Sequence, residues 1–376
     1  LFVSNYGEIW IKDGKDISGQ SQKDRLYRND GDKFVEVTAT AGVGGTVQNT
    51  ESLLNIDHGE IAGNRGYSFQ PVWFDYDNDN LPDLFVTQDF GTSQLYKNLG
   101  NGLFRNMTQT LGLAIYGTSM GVAVTDLNQD GFWDLIVTTG EANQVWINDH
   151  GRKFKNQVDK YHLGDNHRFG WGVAPIDFDN KGEKAFFIVN GPTAKGGDLN
   201  SFQELMANVS SENLFYVPQK DHRYLNLNKK YHLYNQMVGR GLALGDLNQD
   251  GFVDMVITNR DDKAQMIVYK NNGQGANYLQ IQLQGAKGIN HQAVGTKVSV
   301  FINDQVQSQL LQAGSSFLSQ HSSILTFGLG AAKQVDKVEI LWPDGKRQTL
   351  KNLTVNQKVT ISYQSVKQEK DQKKNR

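Results

Sequence analysis

The chain of 376 residues contains no cysteine, only six prolines and no apolar run close to the length of a membrane span. Without cysteine, disulfide bonds and thiolate metal sites are excluded. Cysteine usage therefore does not indicate whether the protein resides in an oxidising or a reducing compartment. A membrane-spanning helix needs about 18 or more consecutive apolar residues, so no transmembrane segment is expected. The formal net charge of −2 and the pI near 6.5 give no basic surface, and no nucleic-acid partner is expected.

Glycine and aromatic residues, in contrast, are plentiful, with 39 glycines and 10% Phe, Trp and Tyr. This composition is typical of many short strands joined by tight turns. The length predicts two or three domains. Because the chain begins at Leu1 and opens on LFVSNY, which reads like the middle of a strand, we expect a fragment whose start, with any signal peptide, is missing.

A nine-residue acidic segment recurs four times, as the first (75–83), second (126–134), third (177–185) and fourth (246–254) loops. The second and fourth, DLNQDGFWD and DLNQDGFVD, differ at one position, and successive copies are 51, 51 and 69 residues apart. An alternating apolar run precedes each copy, and a run such as LIVT follows three of them. Asn/Gly turns such as LYKNLG complete the pattern of strand, acidic turn, strand, polar loop, strand, turn and strand.

About four short strands in roughly 50 residues is the pattern of a β-propeller blade. The predicted fold class is therefore all-β, a β-propeller followed by a small β-sandwich. The alternative is a plain β-sandwich whose segments resemble one another by chance. The widest spacing is explained by an insertion at 191–213, in which Ser201 and Glu204 form a capping box that predicts a short helix. A second insertion occupies 48–66.

The acidic loops have the pattern of a site for a hard cation. Side-chain oxygens at positions 1, 3 and 5 of a tight turn converge on one point, position 7 adds its main-chain carbonyl, and an aspartate at position 9 closes the shell. Such an all-oxygen, anionic shell suits Ca²⁺. An EF-hand is excluded because its position 12 is glutamate, whereas position 12 here is Val86, Val137 or Ile257, inside the following strand.

Three loops carry complete ligand sets and are predicted to bind structural Ca²⁺. Their ligands are Asp75, Asp77, Asp79, Leu81 and Asp83 in the first loop, Asp126, Asn128, Asp130, Phe132 and Asp134 in the second, and Asp246, Asn248, Asp250, Phe252 and Asp254 in the fourth. Position 6 requires a positive φ, which glycine or Asn80 permits. The third loop is predicted to be inactive, because Lys181 stands at position 5 and Ala185 at position 9. The alternative is that all these acids are solvated turn residues.

The repeats resemble the FG-GAP/VCBS repeats of integrin-α-like propellers, whose calcium loops follow the pattern D-x-[DN]-x-[DN]-G-x-x-D. The resemblance covers residues 1–272. It implies calcium in the loops and a propeller that usually closes with about seven blades. Four acidic loops and one truncated copy would then leave about two or three blades missing upstream.

From Asn277 the repeat stops, and alternating segments at 277–285, 293–302, 312–330 and 335–350 predict a β-sandwich domain over 277–363. Pro343-Asp-Gly predicts a hairpin turn. The sequences GSSFLSQ, FGLG and WPDG, in this order, resemble the UnbV/ASPIC domain, which accompanies such propellers in bacterial surface proteins and in cartilage acidic protein-like proteins. Residues 364–376 are predicted to be a disordered tail.

The sequence patterns for a catalytic nucleophile and for a zinc site are weaker. Ser119 in GTSMG matches a nucleophile elbow, but a strand rather than the required helix follows it. His162 and His167, with Asp165 between them, could bind zinc, although a surface loop is the simpler interpretation.

These features predict a calcium-stabilised propeller, extracellular, secreted or on the cell surface, that binds a protein or glycan ligand on its loop-rich rim. No catalytic residue is assigned. The alternative function is an enzyme that uses the central channel or top face of the propeller, with calcium in a structural role. The oligomeric state is left open.

Overall fold

The computed structural model describes residues 1–5, 8–12, 16–20, 22–44, 49–50, 67–89, 91–113, 115–164, 168–192, 210–234, 237–260, 265–273 and 275–364. Within these ranges the chain is almost entirely β-structure, which confirms the predicted all-β class. The two helices described are single turns, α1 (Thr38–Ala41) and α2 (Val158–Tyr161), and none of the described helices is long and apolar enough to cross a membrane. The predicted helix at Ser201, most of both insertions, His167 and the predicted tail from residue 365 lie outside the described residues.

The repeat region contains short strands that follow one another in the predicted order. In chain order they are β1 (Phe2–Val3), β2 (Glu8–Lys12), β3 (Asp16–Gln20), β4 (Arg25–Asn29), β5 (Phe34–Glu36), β6 (Asn49–Thr50), β7 (Ser68–Phe74), β8 (Asp83–Gln88), β9 (Gly91–Thr92), β10 (Gln94–Asn98), β11 (Phe104–Asn106), β12 (Tyr116–Gly117), β13 (Ser119–Thr125), β14 (Asp134–Thr139), β15 (Gln144–Asn148), β16 (Phe154–Asn156), β17 (Gly170–Ile176), β18 (Ala185–Asn190), β19 (Leu214–Pro218), β20 (Tyr224–Asn226), β21 (Gly239–Gly245), β22 (Asp254–Asn259) and β23 (Ile267–Tyr269).

Most of these strands form antiparallel sheets in which neighbours along the chain are neighbours in the sheet, as in propeller blades. The sheets are β1-β4-β5, β7-β8-β10-β11, β13-β14-β15-β16, β17-β18-β19-β20 and β21-β22-β23. Two smaller sheets, β2-β3-β6 and β9-β12, accompany them. Each acidic loop connects the first and second strands of its blade, as the sequence predicted. The blade-like architecture is therefore confirmed.

The hydrophobic cores lie between consecutive blades. Phe85 packs with Leu135 of the next blade, Ile136 with Phe186, and Phe187 with Leu242, all with no measurable exposure. These strands read as continuous apolar runs because both faces of each blade are covered by neighbours. Each blade therefore depends on the next for its stability.

The C-terminal region forms a β-sandwich, as predicted. Its strands are β24 (Asn277–Gln284), β25 (Lys297–Ile302), β26 (Gln305–Leu310), β27 (Ile324–Gly330), β28 (Gln334–Leu341), β29 (Arg347–Thr354) and β30 (Gln357–Ser362). One sheet has the order β27-β24-β30 and the other β26-β25-β28-β29, and their facing residues form a single core. The predicted hairpin turn joins β28 to β29, with Gly345 at φ +82°.

The predicted strand over 312–330 is wrong in its first half. Only Ile324–Gly330 is a strand. Residues 312–323 leave the sandwich and lie along the first strands of the blades, and we call them the 312–323 loop. Phe317 is 3% exposed and packs with Trp171 of β17, with ring centroids 4.9 Å apart. The burial of Phe317 is therefore explained by contacts with the propeller rather than by strand alternation.

Hydrogen bonds hold the 312–323 loop to β21. The Leu242 N–H donates to Ser319 Oγ at 3.1 Å, and the Leu244 N–H donates to His321 Nδ1 at 3.2 Å. The Ser322 N–H donates back to the Leu244 carbonyl at 2.8 Å. The 312–323 loop therefore lies beside β13, β17 and β21, the first strands of three blades.

Candidate metal centres

The first loop is shaped by hydrogen bonds from its own main chain to its first aspartate. Asp75 Oδ1 accepts the Asp79 N–H at 3.1 Å, and Asp75 Oδ2 accepts the Asn80 N–H at 2.8 Å. The Leu81 N–H donates to Asp79 Oδ1 at 2.8 Å. Asn80 has φ +68°, as its position 6 requires. These bonds curl the turn so that its side-chain oxygens face the same region.

The second loop repeats this geometry. Asp126 Oδ1 and Oδ2 accept the N–H groups of Asp130 and Gly131, both at 3.0 Å. The Phe132 N–H donates to Asp130 Oδ1 at 2.9 Å, and the Asn128 amide donates to Asp130 Oδ2 at 2.9 Å. The near-identical arrangement follows from the shared nine-residue pattern, with Gly131 at φ +88°.

The fourth loop adopts the same turn. Asp246 Oδ1 accepts the Asp250 N–H at 3.1 Å, and Asp246 Oδ2 accepts the Gly251 N–H at 2.9 Å. The Phe252 N–H donates to Asp250 Oδ1 at 3.0 Å, and the Asn248 amide donates to Asp250 Oδ2 at 2.6 Å. The structure thus places every side chain of the predicted sets on the predicted turns. Calcium binding, and the carbonyl role of Leu81, Phe132 and Phe252, stay predictions.

The aspartate at position 9 is buried in all three loops. Asp83 and Asp134 have no measurable exposure, and Asp254 is 2% exposed. One oxygen of each accepts the N–H of loop position 2, and the other accepts the N–H of an asparagine at or just after the end of the third strand of the blade. Burial raises the pKa of Asp83 to about 8 and that of Asp134 to about 7, against the opposing effect of these hydrogen bonds.

The first loop brings three carboxylates together. One oxygen each of Asp75, Asp77 and Asp83 lies within 4.8 Å of the others. Burial, followed by the charges of Asp79 and Asp77, raises the pKa of Asp75, although main-chain hydrogen bonds oppose the rise. Such a group of carboxylate oxygens matches the ligands that Ca²⁺ prefers, so the residues fit the ion.

A lysine of the same blade binds this cluster. The Lys97 ammonium donates to Asp77, and it donates to Asp79 Oδ2 at 2.9 Å. Although burial opposes it, hydrogen bonds to Asp77 and Asp79 raise the pKa of Lys97. The first loop therefore attracts positive charge, and a bound Ca²⁺ would compete with this ammonium for Asp77 and Asp79.

The third loop keeps the turn but has Lys181 and Ala185 at positions 5 and 9, and its inactivity stays a prediction. Asp177 accepts the N–H groups of Lys181 at 3.0 Å and Gly182 at 2.8 Å. The Lys181 ammonium is largely exposed and donates to Asp179 at 2.6 Å. Burial lowers the pKa of Lys184, against the opposing charge of Asp177. The charge of Lys184, which the sequence pattern did not indicate, thus interacts with the loop's first aspartate, as does that of Lys181.

Sequence reasoning missed the asparagine that accompanies position 9. Asn98 and Asn148 end β10 and β15, and Asn271 lies two residues after the end of β23. Each donates its main-chain N–H to the position-9 aspartate at 2.7–2.8 Å. The third blade has Ala185 at position 9 and Pro218 at the matching place on β19. The signal was visible, because LYKN, VWIN and VYKN end in Asn in the three blades whose position 9 is aspartate, whereas the third blade has Ala185 and Pro218.

The C-terminal domain contacts three of the loops. The Lys297 ammonium donates to the Gly131 carbonyl at 2.9 Å, and the Gln280 amide donates to Asp246 Oδ2 at 2.7 Å. The Gly330 N–H donates to the Asn180 carbonyl at 2.8 Å. At Gly328 a Cβ atom would lie 2.1 Å from Asp177 Oδ2, so this close approach requires glycine. No sequence pattern indicates that the two regions meet at the acidic loops.

Ser119 and His162 belong to motifs considered for other chemistry, and Asp165 and His167 lie outside the described residues. Ser119 lies in β13 with no measurable exposure, which is incompatible with an exposed nucleophile on a strand-to-helix turn. His162 caps α2 with φ +55°.

Two family sequence models match the chain. The model described as FG-GAP-like repeat matches residues 75–137, which contain the first two loops, and the model described as ASPIC and UnbV matches residues 286–368. Among solved structures, Saccharomyces cerevisiae Sqt1 aligns with a TM-score of 0.35 and 6% identity over 92% of this chain and 88% of that chain. A score of this size carries no argument about function.

Curated relatives match most of the chain. Cartilage acidic protein 1 of Homo sapiens is 25% identical over 298 residues, which are 76% of this chain and 42% of that protein. The Xenopus tropicalis protein of the same name is 24% identical over 316 residues, 81% of this chain and 46% of that protein. The chain spans less than half the length of these relatives. It carries FG-GAP-like repeats and a C-terminal ASPIC and UnbV domain, and it is homologous to cartilage acidic protein 1.

Proposed function

We propose that this chain is a calcium-stabilised, extracellular propeller module that binds a protein or glycan partner. The observation that carries the calcium proposal is the carboxylate cluster of Asp75, Asp77 and Asp83, whose oxygens lie within 4.8 Å of one another. Carboxylates this close repel one another unless a proton or a cation neutralises them. The same turn recurs in the second and fourth loops.

Calcium would stabilise contacts between blades as well as single turns. The Asn148 amide of one blade donates at 2.8 Å to the carbonyl of Tyr76, which is position 2 of the first loop on the preceding blade. At millimolar Ca²⁺ and a dissociation constant of roughly 10–100 μM, each site would add about 1–3 kcal/mol to the free energy of unfolding.

The extracellular assignment rests on two supports. Sites with the dissociation constant assumed above would be well filled at the millimolar calcium found outside cells. The curated relatives are named for cartilage, a tissue rich in extracellular matrix. Neither support identifies the partner, and a protein or a glycan is the class that we propose.

The alternative function, an enzyme that uses the central channel, has less support. The 312–323 loop already lies along the first strands of the blades, with Phe317 packed on Trp171. The two carboxyls whose pKa is raised furthest, Asp83 and Asp134, are buried and accept main-chain N–H groups. Burial therefore explains their raised pKa values, and their hydrogen bonds give both carboxyls a structural role.

Calcium binding is tested by isothermal titration calorimetry and thermal unfolding in Ca²⁺, Mg²⁺ and EDTA. We expect about three sites, stabilisation by Ca²⁺, and little effect of Mg²⁺, which demands a tighter octahedral shell. Absence of heat and of stabilisation would refute the calcium proposal.

Binding of a partner is tested with a glycan array and a panel of extracellular-matrix proteins in Ca²⁺ and in EDTA. If the protein binds no glycan and no matrix protein under either condition, the adhesion proposal is refuted.

A further inference from the structure

The fourth loop receives a hydrogen bond from the other domain at its first aspartate. Gln280, in the middle of β24, donates its side-chain amide to Asp246 Oδ2 at 2.7 Å. Gln280 is 7% exposed, so its amide is held within the interface between the regions. The adjacent Tyr278 packs on the same loop, since a Cβ atom at Gly251 would lie 2.0 Å from its ring.

The first and second loops are held differently at position 1. The hydrogen bonds that Asp75 and Asp126 accept come from main-chain N–H groups of their own loops, as far as the described residues are concerned. At the second loop the C-terminal domain donates through Lys297, but to the Gly131 carbonyl and not to a carboxylate. Among the three complete loops, direct contact of a C-terminal amide with a ligand oxygen is thus a feature of the fourth.

We infer that Gln280 is a positioning residue for the cation site of the fourth loop, so that the affinity of this site depends on the docked C-terminal domain. This inference rests on the proposed calcium function. Asp246 Oδ2 accepts two donors, Gln280 and the Gly251 N–H, which fix the plane of the carboxylate. Oδ1 accepts the N–H of Asp250.

The chemistry of the donor makes this arrangement favourable for a cation. A carboxamide is neutral, so Gln280 orients Asp246 without adding a positive charge that would repel the ion. A ligand whose orientation is fixed in advance loses less conformational freedom on binding, and partners of this kind typically change metal affinity about 10–100-fold. The side chains of Lys97 at the first loop and Lys297 near the second end in ammonium groups, which are not neutral.

The coupling acts in both directions. If docking of the C-terminal domain strengthens calcium binding at the fourth loop, calcium there must strengthen docking by the same factor. The fourth loop would then link the occupancy of the propeller by calcium to the attachment of the C-terminal domain.

The test follows calcium binding at each loop separately in the full chain. In residue-assigned TROSY spectra of ¹⁵N-glycine-labelled protein, the amides of Gly131 and Gly251 report on Asp126 and Asp246, to which they donate. For Gln280→Leu we expect the calcium midpoint at Gly251 to rise about tenfold and that at Gly131 to stay unchanged. Gln282→Leu, the same substitution two residues further along β24, is the matched control and should shift neither midpoint.

Folding of the variants is checked by thermal unfolding in EDTA. If Gln280→Leu fails to fold, Gln280→Asn keeps the polar group but shortens it by one methylene, and it should raise the Gly251 midpoint in the same way. Equal shifts at both glycines, or a shift at neither, would overturn the inference while leaving the calcium proposal intact. If neither glycine of the unsubstituted chain responds to calcium, the calcium proposal and this inference fall together.

Discussion

The side-chain amide of Asn148 donates a 2.8 Å hydrogen bond to the main-chain carbonyl of Tyr76, a residue 72 positions earlier in the chain and on another blade. The same amide lies 3.2 Å from the Trp133 carbonyl of its own loop, and Asn148 Oδ1 accepts the Gly151 N–H at 2.8 Å. One buried asparagine therefore joins two acidic loops and one Asn/Gly turn.

Replacing Asn148 by alanine should destabilise the protein. The substitution leaves two carbonyls and one N–H of the main chain without this partner in a buried place, and we expect a loss of about 2 kcal/mol in the free energy of unfolding. Urea unfolding in EDTA measures it. Asn156→Ala, on the exposed end of β16, is the control and should cost clearly less. Equal losses would contradict the role given to Asn148.

Calcium affinity should increase with pH between about 6 and 8. Burial raises the pKa of Asp83 to about 8 and of Asp134 to about 7, so both carboxyls hold protons in the metal-free fold that bound calcium must displace. Calorimetry at pH 6 and pH 8 in buffers of different ionisation enthalpy measures the affinity and the released protons. An affinity independent of pH would contradict the prediction.

The metal-free protein should show the opposite dependence of stability on pH. Both folded pKa values lie above the value of 3.8 for an unfolded aspartate, so the folded chain binds more protons than the unfolded chain over the interval between them. The free energy of unfolding in EDTA should therefore fall as pH rises from about 4 to about 8. Denaturant unfolding at several pH values checks the slope, and calcium should reduce it.

Lys97→Met should strengthen calcium binding at the first loop. The Lys97 ammonium binds Asp77 and Asp79, and calcium must compete with it for these oxygens. Without this charge we expect the affinity of one site to rise several-fold, about 1 kcal/mol, with the largest effect at low salt. Calorimetry measures it, and Lys155→Met, which removes an exposed lysine bound to Asp149, is the control. A weaker first site in Lys97→Met would refute the competition.

Phe317→Ala should loosen the 312–323 loop from the propeller. Phe317 is 3% exposed, and its ring contacts those of Trp171 and Phe69 at centroid distances of 4.9 and 5.3 Å. We expect a loss of about 3 kcal/mol and a change in tryptophan fluorescence. The neighbouring Leu318 is 79% exposed, so Leu318→Ala should change neither quantity. Similar effects of the two substitutions would contradict the packing assigned to Phe317.

The sequence by itself determined the strands and the acidic turns, because these depend on neighbouring residues. Alternating apolar runs specify half-buried or buried strands, and the D-x-N-x-D-G pattern specifies a turn in which Asp126 and Asp246 accept the N–H groups of their own loops. Even the positive φ of Asn80 followed from its place in the nonapeptide.

Only the tertiary structure decided which of these loops touch one another and what lies against them. Asn148 reaches Tyr76 across 72 residues, Gln280 reaches Asp246 from another domain, and the segment around Phe317 leaves its sheet for the blades. Local patterns carry no information about such pairs, because the contact depends on how blades and sandwich pack and not on the spacing of the residues along the chain. For the same reason a strand-like alternation at 312–323 was overridden by burial against a surface that the sequence does not display.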